Sequence, residues 1–579
     1  MHVLQILASA TLALGFATNA HAKLLATRDN GFDWMNLTSS TKLSLAPCYD
    51  SFKCARLTVP LQYSNPAAGE TQVALLVSPS NFSRSDPRYR GPILFNPGGP
   101  GGSGVSFVQE LAAYFRVIIG PAYDLVGFDP RGVGFTTPSL EVFHTAAEAL
   151  AFYGAYPFNA NESIASFGRG YAQVQILGSL AAARASTVAE SVSTPAVAMD
   201  MLAISRAFGF EEVNYWGISY GTVLGATFAA MFPHNVGRFI IDGVVNSHEW
   251  YQGTDLSSLT FTDAALTSIY EACTAAGPSQ CAIWAPTASA IRARIDALLA
   301  SLHVAPVPVF DDPSTGSGVV DYATLVQQLL AVAYQPYASA PGAAQAVLAL
   351  ERGYASAVWA GSLAQEVGEL ASCATGVGAQ GPLEVGAAVE CGDIVGPFER
   401  TIEQAREDYA AVTKMSALFG PAYYYTSPGV CTGWHLRGKD VFNGSFTTST
   451  RTPLLVISNT LDPITPIMSG KNMSAGFARS VLLQQNSTGH TSLSGFSLCT
   501  ARAIAAYVAN ATLPAPHTVC QPDRAIFEPA PNAALAKRDA GGELGFEEAV
   551  RAIAGNDVLV RGGVLGRMRG ARMVRGGLR

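Results

Sequence analysis

A serine set between two glycines, Gly217-Ile218-Ser219-Tyr220-Gly221, constrains this chain more than any other stretch. The G-x-S-x-G pattern marks a strand that turns sharply into a helix, with the serine in a strained backbone conformation and no room for a Cβ at the flanking positions. The surroundings fit such a turn. Glu212 to Trp216 contains the strand formers Val213, Tyr215 and Trp216, and Thr222 to Phe232 interleaves Gly225, Ala226, Ala229 and Ala230, small enough for a helix to lie close on a sheet.

Around this turn the chain alternates strands with helices. Cys54 to Tyr63 and Thr71 to Val77 read as two strands separated by a Pro-Gly turn, expected to form an antiparallel edge. The apolar run Pro92 to Phe95 meets the loop Asn96-Pro97-Gly98-Gly99-Pro100-Gly101-Gly102-Ser103-Gly104 and then a helical pattern over Val105 to Phe115. Further strands are expected over Tyr123 to Asp129, Arg238 to Val245, Pro453 to Ser458 and Val481 to Gln484, with helices over Met199 to Phe208 and Thr500 to Val508. This order predicts an α/β fold with a mostly parallel, doubly wound sheet. Between residues 246 and 450 the character changes to alanine-rich helical stretches, at Ala288 to Leu302, Tyr322 to Tyr334, Ala343 to Ala360 and Phe398 to Phe419, with few strand signals. The expected organisation is a core over 23–245, a helical insertion over 246–450 and a return to the core over 451–525. A disordered basic tail is expected over 526–579, whose last 19 residues, 561–579, carry six arginines and no acid.

Charge and cysteine usage narrow the setting. A net charge of -7 with charged residues at 14% argues against a nucleic-acid partner, which would need a basic face. The apolar run Val3 to Ala17 and the small-x-small pattern Ala20-His21-Ala22 predict a secretory signal over residues 1–22, with a mature start at Lys23. That run is short for a membrane span and no later stretch is long and apolar enough, so no membrane association is expected. Seven N-x-S/T sequons, at Asn36, Asn81, Asn161, Asn443, Asn472, Asn486 and Asn510, suit a glycosylated secreted surface. The nine cysteines suit an oxidising compartment, and close spacing pairs Cys48 with Cys54, Cys273 with Cys281 and Cys499 with Cys520. Cys373, Cys391 and Cys431 then leave one thiol unpaired. No Cys and His cluster has zinc-ligand spacing, so neither a metal nor a cofactor is expected. Lys537-Arg538 is a candidate processing site.

A serine hydroxyl is a poor nucleophile unless an imidazole takes its proton and a carboxylate fixes the imidazole tautomer. Behind the serine turn, one strand ends in Asn459-Thr460-Leu461-Asp462-Pro463 and the next in Asn486-Ser487-Thr488-Gly489-His490. Asp462 and His490 therefore sit at the carboxyl ends of strands, where open α/β sheets gather their sites. His2 and His21 lie in the signal, His303 and His435 in the insertion, and His144, His234, His248 and His517 do not follow a strand in the required order. The oxyanion of acyl transfer needs two N–H donors, one from the residue after the nucleophile, Tyr220, and one from the Gly98–Gly102 loop. Pro100 has no N–H to give. The same loop lacks the lysine of a phosphate-binding loop and the spacing of a dinucleotide site.

Taken together, Asn96 to Gly104, Gly127-Phe128-Asp129-Pro130-Arg131-Gly132-Val133-Gly134, Trp216 to Thr222, Ile241 to Val245, and Gly489 to Ser492 followed by Cys499 and Cys520, resemble the tripeptidyl aminopeptidase branch of the α/β-hydrolase serine exopeptidases, relatives of the prolyl aminopeptidases. The resemblance runs from about Cys48 to Asp523, with gaps in the insertion. It implies an α/β-hydrolase fold with a helical cap. It also implies Ser219 as nucleophile, Asp462 as orienting acid, His490 as general acid-base, and Gly99 and Tyr220 as oxyanion donors. In such enzymes the cap closes one end of the cleft and its acids receive the free amino terminus of the peptide substrate; here it offers Glu249, Asp255, Glu390 and Asp393. The expected function is a secreted serine aminopeptidase that releases short peptides, tripeptides among them, from free N-termini through an acyl-enzyme. A secreted esterase with the same triad and a catalytically silent hydrolase-like binding protein are the alternatives.

Overall fold

The computed structural model describes residues 32–361, 382–529 and 545–554, apart from 158, 255, 313–315, 397–398 and 496. The expected signal, Asp255, Cys373 and Lys537-Arg538 lie outside the described residues.

One 10-stranded sheet carries the fold, in the order β1-β2-β3-β5-β4-β6-β7-β10-β11-β12. Its strands are β1 (Ala46–Cys48), β2 (Phe52–Pro60), β3 (Glu70–Ser78), β4 (Pro92–Asn96), β5 (Asp124–Phe128), β6 (Val213–Ile218), β7 (Val236–Asp242), β10 (Leu455–Leu461), β11 (Val481–Thr488) and β12 (Val519–Cys520). The first three pair antiparallel at one edge; from β5 to β12 every pairing is parallel. All residues of β4, β5 and β6 are buried, as expected of parallel strands covered on both faces. Alternation along each strand divides the core between the faces: Leu94, Val126, Tyr215 and Ile241 pack on one side, and Ile93, Phe95, Trp216 and Ile240 on the other.

Among the described residues the α-helices of more than four residues, in chain order, are α1 (Gly104–Ile119), α2 (Ala146–Ala155), α3 (Ser166–Arg184), α4 (Thr194–Ala207), α5 (Tyr220–Met231), α6 (Ser247–Gln252), α7 (Thr262–Ala276), α8 (Ala288–Val304), α9 (Tyr322–Tyr334), α10 (Pro336–Glu351), α11 (Pro382–Asp393), α12 (Ile402–Met415), α13 (Ile467–Gly476), α14 (Leu498–Asn510) and α15 (Phe546–Ala554). Residues from α1 and α14 belong to the Phe95 side of the core, and residues from α4 and α5 to the Leu94 side. Elements α6 to α12 all fall between β7 and β10. A two-stranded antiparallel hairpin, β8 (Val307–Asp312) with β9 (Gly316–Val320), also lies there, where helical composition had pointed to helices.

The helical layer on the Leu94 side draws on a second chain segment as well. The Tyr153 hydroxyl of α2 donates to Glu384 of α11, and the Tyr156 hydroxyl donates to the Tyr425 carbonyl at 2.8 Å. Four disulfides tie the described residues together: Cys48–Cys54, Cys273–Cys281, Cys499–Cys520 and Cys391–Cys431. The last pairs two of the three cysteines that spacing left unassigned.

One stretch of the expected disordered tail is ordered. Residues 546–554 form α15, with Ala549 and Val550 buried and Val550 packed into the Phe95 side of the core. The composition of the whole tail hides this short amphipathic helix, whose apolar residues gain more from burial than its few residues lose in order. No helix among the described residues is long and apolar enough to cross a membrane.

Candidate active site

The strand order reverses direction between β4 and β6, so the crevice outside their carboxyl ends is where the fold opens a site. Two turns meet there. Ser219 follows β6 directly and has φ 57 and ψ −125, a conformation that side chains with a Cβ rarely adopt. The turn is tight enough that a Cβ at Gly217 would come within 2.3 Å of the Gly221 carbonyl oxygen. After β4, the Gly-rich loop folds onto the serine: at Gly98, φ is +91 and an added Cβ would lie 2.8 Å from Ser219 Cβ and 3.0 Å from Tyr220 N. The structure thus brings the loop that carries Gly99 against Ser219 and Tyr220, the residues sequence reasoning grouped with it.

What holds that loop is Asp129, buried after β5. It accepts the Ser103 hydroxyl at 2.6 Å, Val105 N–H at 3.1 Å and Phe135 N–H at 2.9 Å, and burial pushes its carboxyl up to about 6 against those hydrogen bonds. Nearby, Arg131 makes a bidentate ion pair with Asp200, at 2.6 and 2.7 Å. The Asp129-Pro130-Arg131 run is therefore a brace.

Asp462 comes immediately after β10, and His490 two residues after β11. His490 Nδ1 lies 3.1 Å from each Asp462 carboxylate oxygen and 3.2 Å from Thr465 Oγ1. The carboxylate also accepts the N–H groups of Ile464 at 3.0 Å, Thr465 at 2.9 Å and Thr491 at 2.9 Å. Burial would raise the Asp462 carboxyl, but the His490 imidazole and these donors outweigh it and hold the group below the usual carboxylate range. An ionised acceptor beside Nδ1 assigns the proton to that nitrogen and leaves the Nε2 lone pair for base chemistry. Among the described residues Nε2 is buried without a hydrogen-bond partner, so no hydrogen bond joins Ser219 to His490 here. Such contacts are often loose in unliganded hydrolases and tighten with substrate.

Two residues that order the His490 loop escaped sequence reasoning. Asn459 donates to the Gly489 carbonyl at 2.7 Å and the Thr491 carbonyl at 2.6 Å. Tyr334, the last residue of α9, accepts the His490 N–H at 2.8 Å and sets its ring 4.9 Å from the imidazole. The asparagine stood visible just before Asp462; nothing in the sequence links Tyr334 to a loop so far along the chain.

The acids offered for an amino terminus have different surroundings. Glu249 is engaged by Asn246 Nδ2 at 2.8 Å and Ser257 N–H at 2.9 Å. Glu390 and Asp393 of α11 are buried, as is Glu384 on the same helix, which sequence reasoning passed over. Asp393 accepts Thr194 N–H at 2.8 Å and Trp250 Nε1–H at 2.9 Å, and burial pushes its carboxyl up to about 7. Thr194 Oγ1 also shares a hydrogen bond with the Tyr220 hydroxyl at 2.6 Å, which links α11 to the residue after Ser219. Among the described residues no group of His, Cys, Asp and Glu forms a metal cage.

A strained serine turn, a buried carboxylate–imidazole pair and a glycine-rich loop at the carboxyl ends of a parallel sheet define an α/β-hydrolase. The family of the α/β hydrolase fold matches residues 91–266, and the family described as TAP-like protein matches residues 416–520. Over these two stretches the chain is similar to TAP-like α/β-hydrolases. It is 33% identical over 227 residues to a tripeptidyl aminopeptidase of Streptomyces coelicolor, covering 38% of this chain and 40% of that one. Over 198 residues it is 30% identical to the serine protease Hip1 of Mycobacterium tuberculosis, covering 33% and 36% of the two chains. A shorter match, 41% over 101 residues, covers 17% of this chain and 18% of Carboxylesterase B from Mycobacterium tuberculosis. These alignments span less than half the length of each relative.

Proposed function

We propose that the chain is a secreted serine hydrolase that cleaves short peptides, tripeptides among them, from free amino termini. Ser219 attacks the scissile carbonyl while His490 Nε2 takes its proton, and Asp462 stabilises the imidazolium that forms. The N–H groups of Tyr220 and Gly99 receive the oxyanion. His490 returns the proton to the leaving amine, and water, activated by the same imidazole, releases the acyl-enzyme. The residues between β7 and β10 serve as a cap, and the buried carboxylates of α11 receive the substrate ammonium. A basic amine gains strongly from desolvated carboxylates, so the cap discriminates against a blocked terminus. Secretion is supported by the four disulfides and the signal-like first 22 residues.

The single observation that carries this reading is the buried Asp462–His490 pair, with Nε2 unpartnered among the described residues, at the same end of the sheet as the strained Ser219. The test is hydrolysis of a tripeptide anilide by Ser219→Ala: kcat should fall by roughly 10⁴-fold or more. Full activity in that variant refutes the reading. A second reading, an esterase using the same residues, is favoured by the local match to Carboxylesterase B. It predicts that simple p-nitrophenyl esters outperform peptide anilides in kcat/KM.

A further inference from the structure

A second buried carboxylate, unused by the arrangement above, stands between the two halves of the site. Asp242 is the last residue of β7 and is fully buried. Its backbone carbonyl accepts the Ser219 N–H at 3.0 Å, so the strained turn is hung from it. Its carboxylate accepts the Ser492 N–H at 2.8 Å and the Ser492 hydroxyl as well. Ser492 lies two residues after His490. One residue therefore grips the serine turn through its main chain and the histidine loop through its side chain.

That loop needs holding. Thr491, between His490 and Ser492, has φ 66, a left-handed conformation that β-branched residues avoid. Its shape is maintained by ties from outside: Asp462 on the Thr491 N–H, Asn459 on two carbonyls, Tyr334 on the His490 N–H, and Asp242 on Ser492. Of these, Asp242 alone is bonded to Ser219. Its placement is costly. Burial pushes its carboxyl up to about 6, opposed by the two Ser492 hydrogen bonds and by His490, while Asp462 adds to the rise. An apolar side chain would escape that cost but leave both Ser492 donors unpaired inside the protein.

We propose that Asp242 is a positioning residue that sets the His490 imidazole in register with the Ser219 turn, holding Ser219 by its carbonyl and Ser492 by its carboxylate. The inference rests on the assignment of Ser219 and His490 made above. Asp242 touches no substrate in this scheme. A shift of the imidazole by on the order of 1 Å costs about a hundredfold in rate. The loss falls on kcat, because the groups that bind the substrate are untouched.

The experiment measures kcat and KM for a free-amino tripeptide anilide with Asp242→Ala, Asp242→Asn, Ser492→Ala and, as reference, His490→Ala, with thermal melting of each. Asp242→Ala should lose about a hundredfold in kcat with KM within about twofold of the parent. Asp242→Asn keeps an acceptor oxygen for the Ser492 N–H and should recover at least about tenfold of that loss. Ser492→Ala, the mildest change, should fold normally and lose roughly tenfold in kcat alone, which keeps the test decisive if Asp242→Ala does not fold. An inactive His490→Ala beside Asp242→Ala and Ser492→Ala variants with parental kcat, or beside a parental Ser492→Ala alone where Asp242→Ala does not fold, overturns the positioning role and leaves the site assignment standing. Equal changes in KM and kcat in these two variants overturn it as well. An active His490→Ala overturns the site assignment itself.

Discussion

Arg131 and Asp200 are each about 1% exposed, and the guanidinium also donates to the Pro60 carbonyl at 2.7 Å while lying over the Tyr63 ring. The Tyr63 hydroxyl adds a bond to Asp200 at 2.8 Å. A buried pair of this kind contributes little relative to apolar residues of the same volume, yet removing one partner strands a charge. Asp200→Ala should therefore cost about 3–5 kcal/mol in urea unfolding, and the double change Arg131→Met with Asp200→Leu should cost clearly less; equal losses would contradict this account. At this scale the sequence was most informative where chemistry leaves few choices. Ser219 was marked by its glycines, and Asp462 and His490 by their order after strands. Asp242 lay within the Ile241 to Val245 stretch and Tyr334 at the end of an expected helix, but an aspartate ending a strand and a tyrosine ending a helix carry no local mark of the loop they hold. Arg131 was legible as part of a motif, but its role as a brace depends on a partner 69 residues away.

At the level of elements, helix α9 matches the stretch read from composition, since its Asp321 capping box and apolar periodicity fix both ends. The expected strand Arg238 to Val245 ends instead at Asp242, because its last three residues turn away to enter α6. Among the elements the sequence reading missed, two have a clear physical reason. The hairpin β8–β9 is short and largely exposed, with a proline in its first strand, so it presents little of the alternation that marks a strand. Helix α3 contains Gly168, Gly170 and Gly178, which weaken the helical signal. Gly178 is needed there, because a Cβ would overlap the Gly433 carbonyl of the stretch that carries Cys431. That stretch is fastened to α11 by the Cys391–Cys431 bridge, which closes a loop with a sequence separation of 40. Replacing both cysteines with serine should lower the unfolding free energy by about 3–4 kcal/mol through the loop-closure entropy restored to the unfolded chain. Denaturant titration checks it, and an unchanged midpoint would mean that the layer is already fixed by packing alone.

For the whole molecule, buried acids set the response to pH. Burial pushes Asp129 and Asp242 up to about 6 and Asp393 to about 7, from an ordinary value of 3.8. Between pH 3.8 and about 7 the folded chain thus binds more protons than the unfolded one, so these groups make stability fall as pH rises through that window. Asp462 acts in the opposite sense: held below 3.8, it contributes stability above that value and loses it as pH falls through its lowered folded value. Tm should therefore rise from pH 8 to about pH 5 and drop below about pH 4; a Tm higher at pH 8 than at pH 5 would contradict the burial of these groups. The same buried acids bear on function, since α11 joins the residue after Ser219 through Thr194 and Asp393. The central claim is that Ser219 performs the reaction while the elements between β7 and β10 select a free amino terminus. Its most direct test compares kcat/KM for a tripeptide anilide with that for the same anilide acetylated at its amine. The account predicts a preference of about a hundredfold or more for the free amine, and equal values, or faster cleavage of the acetylated compound, would contradict it.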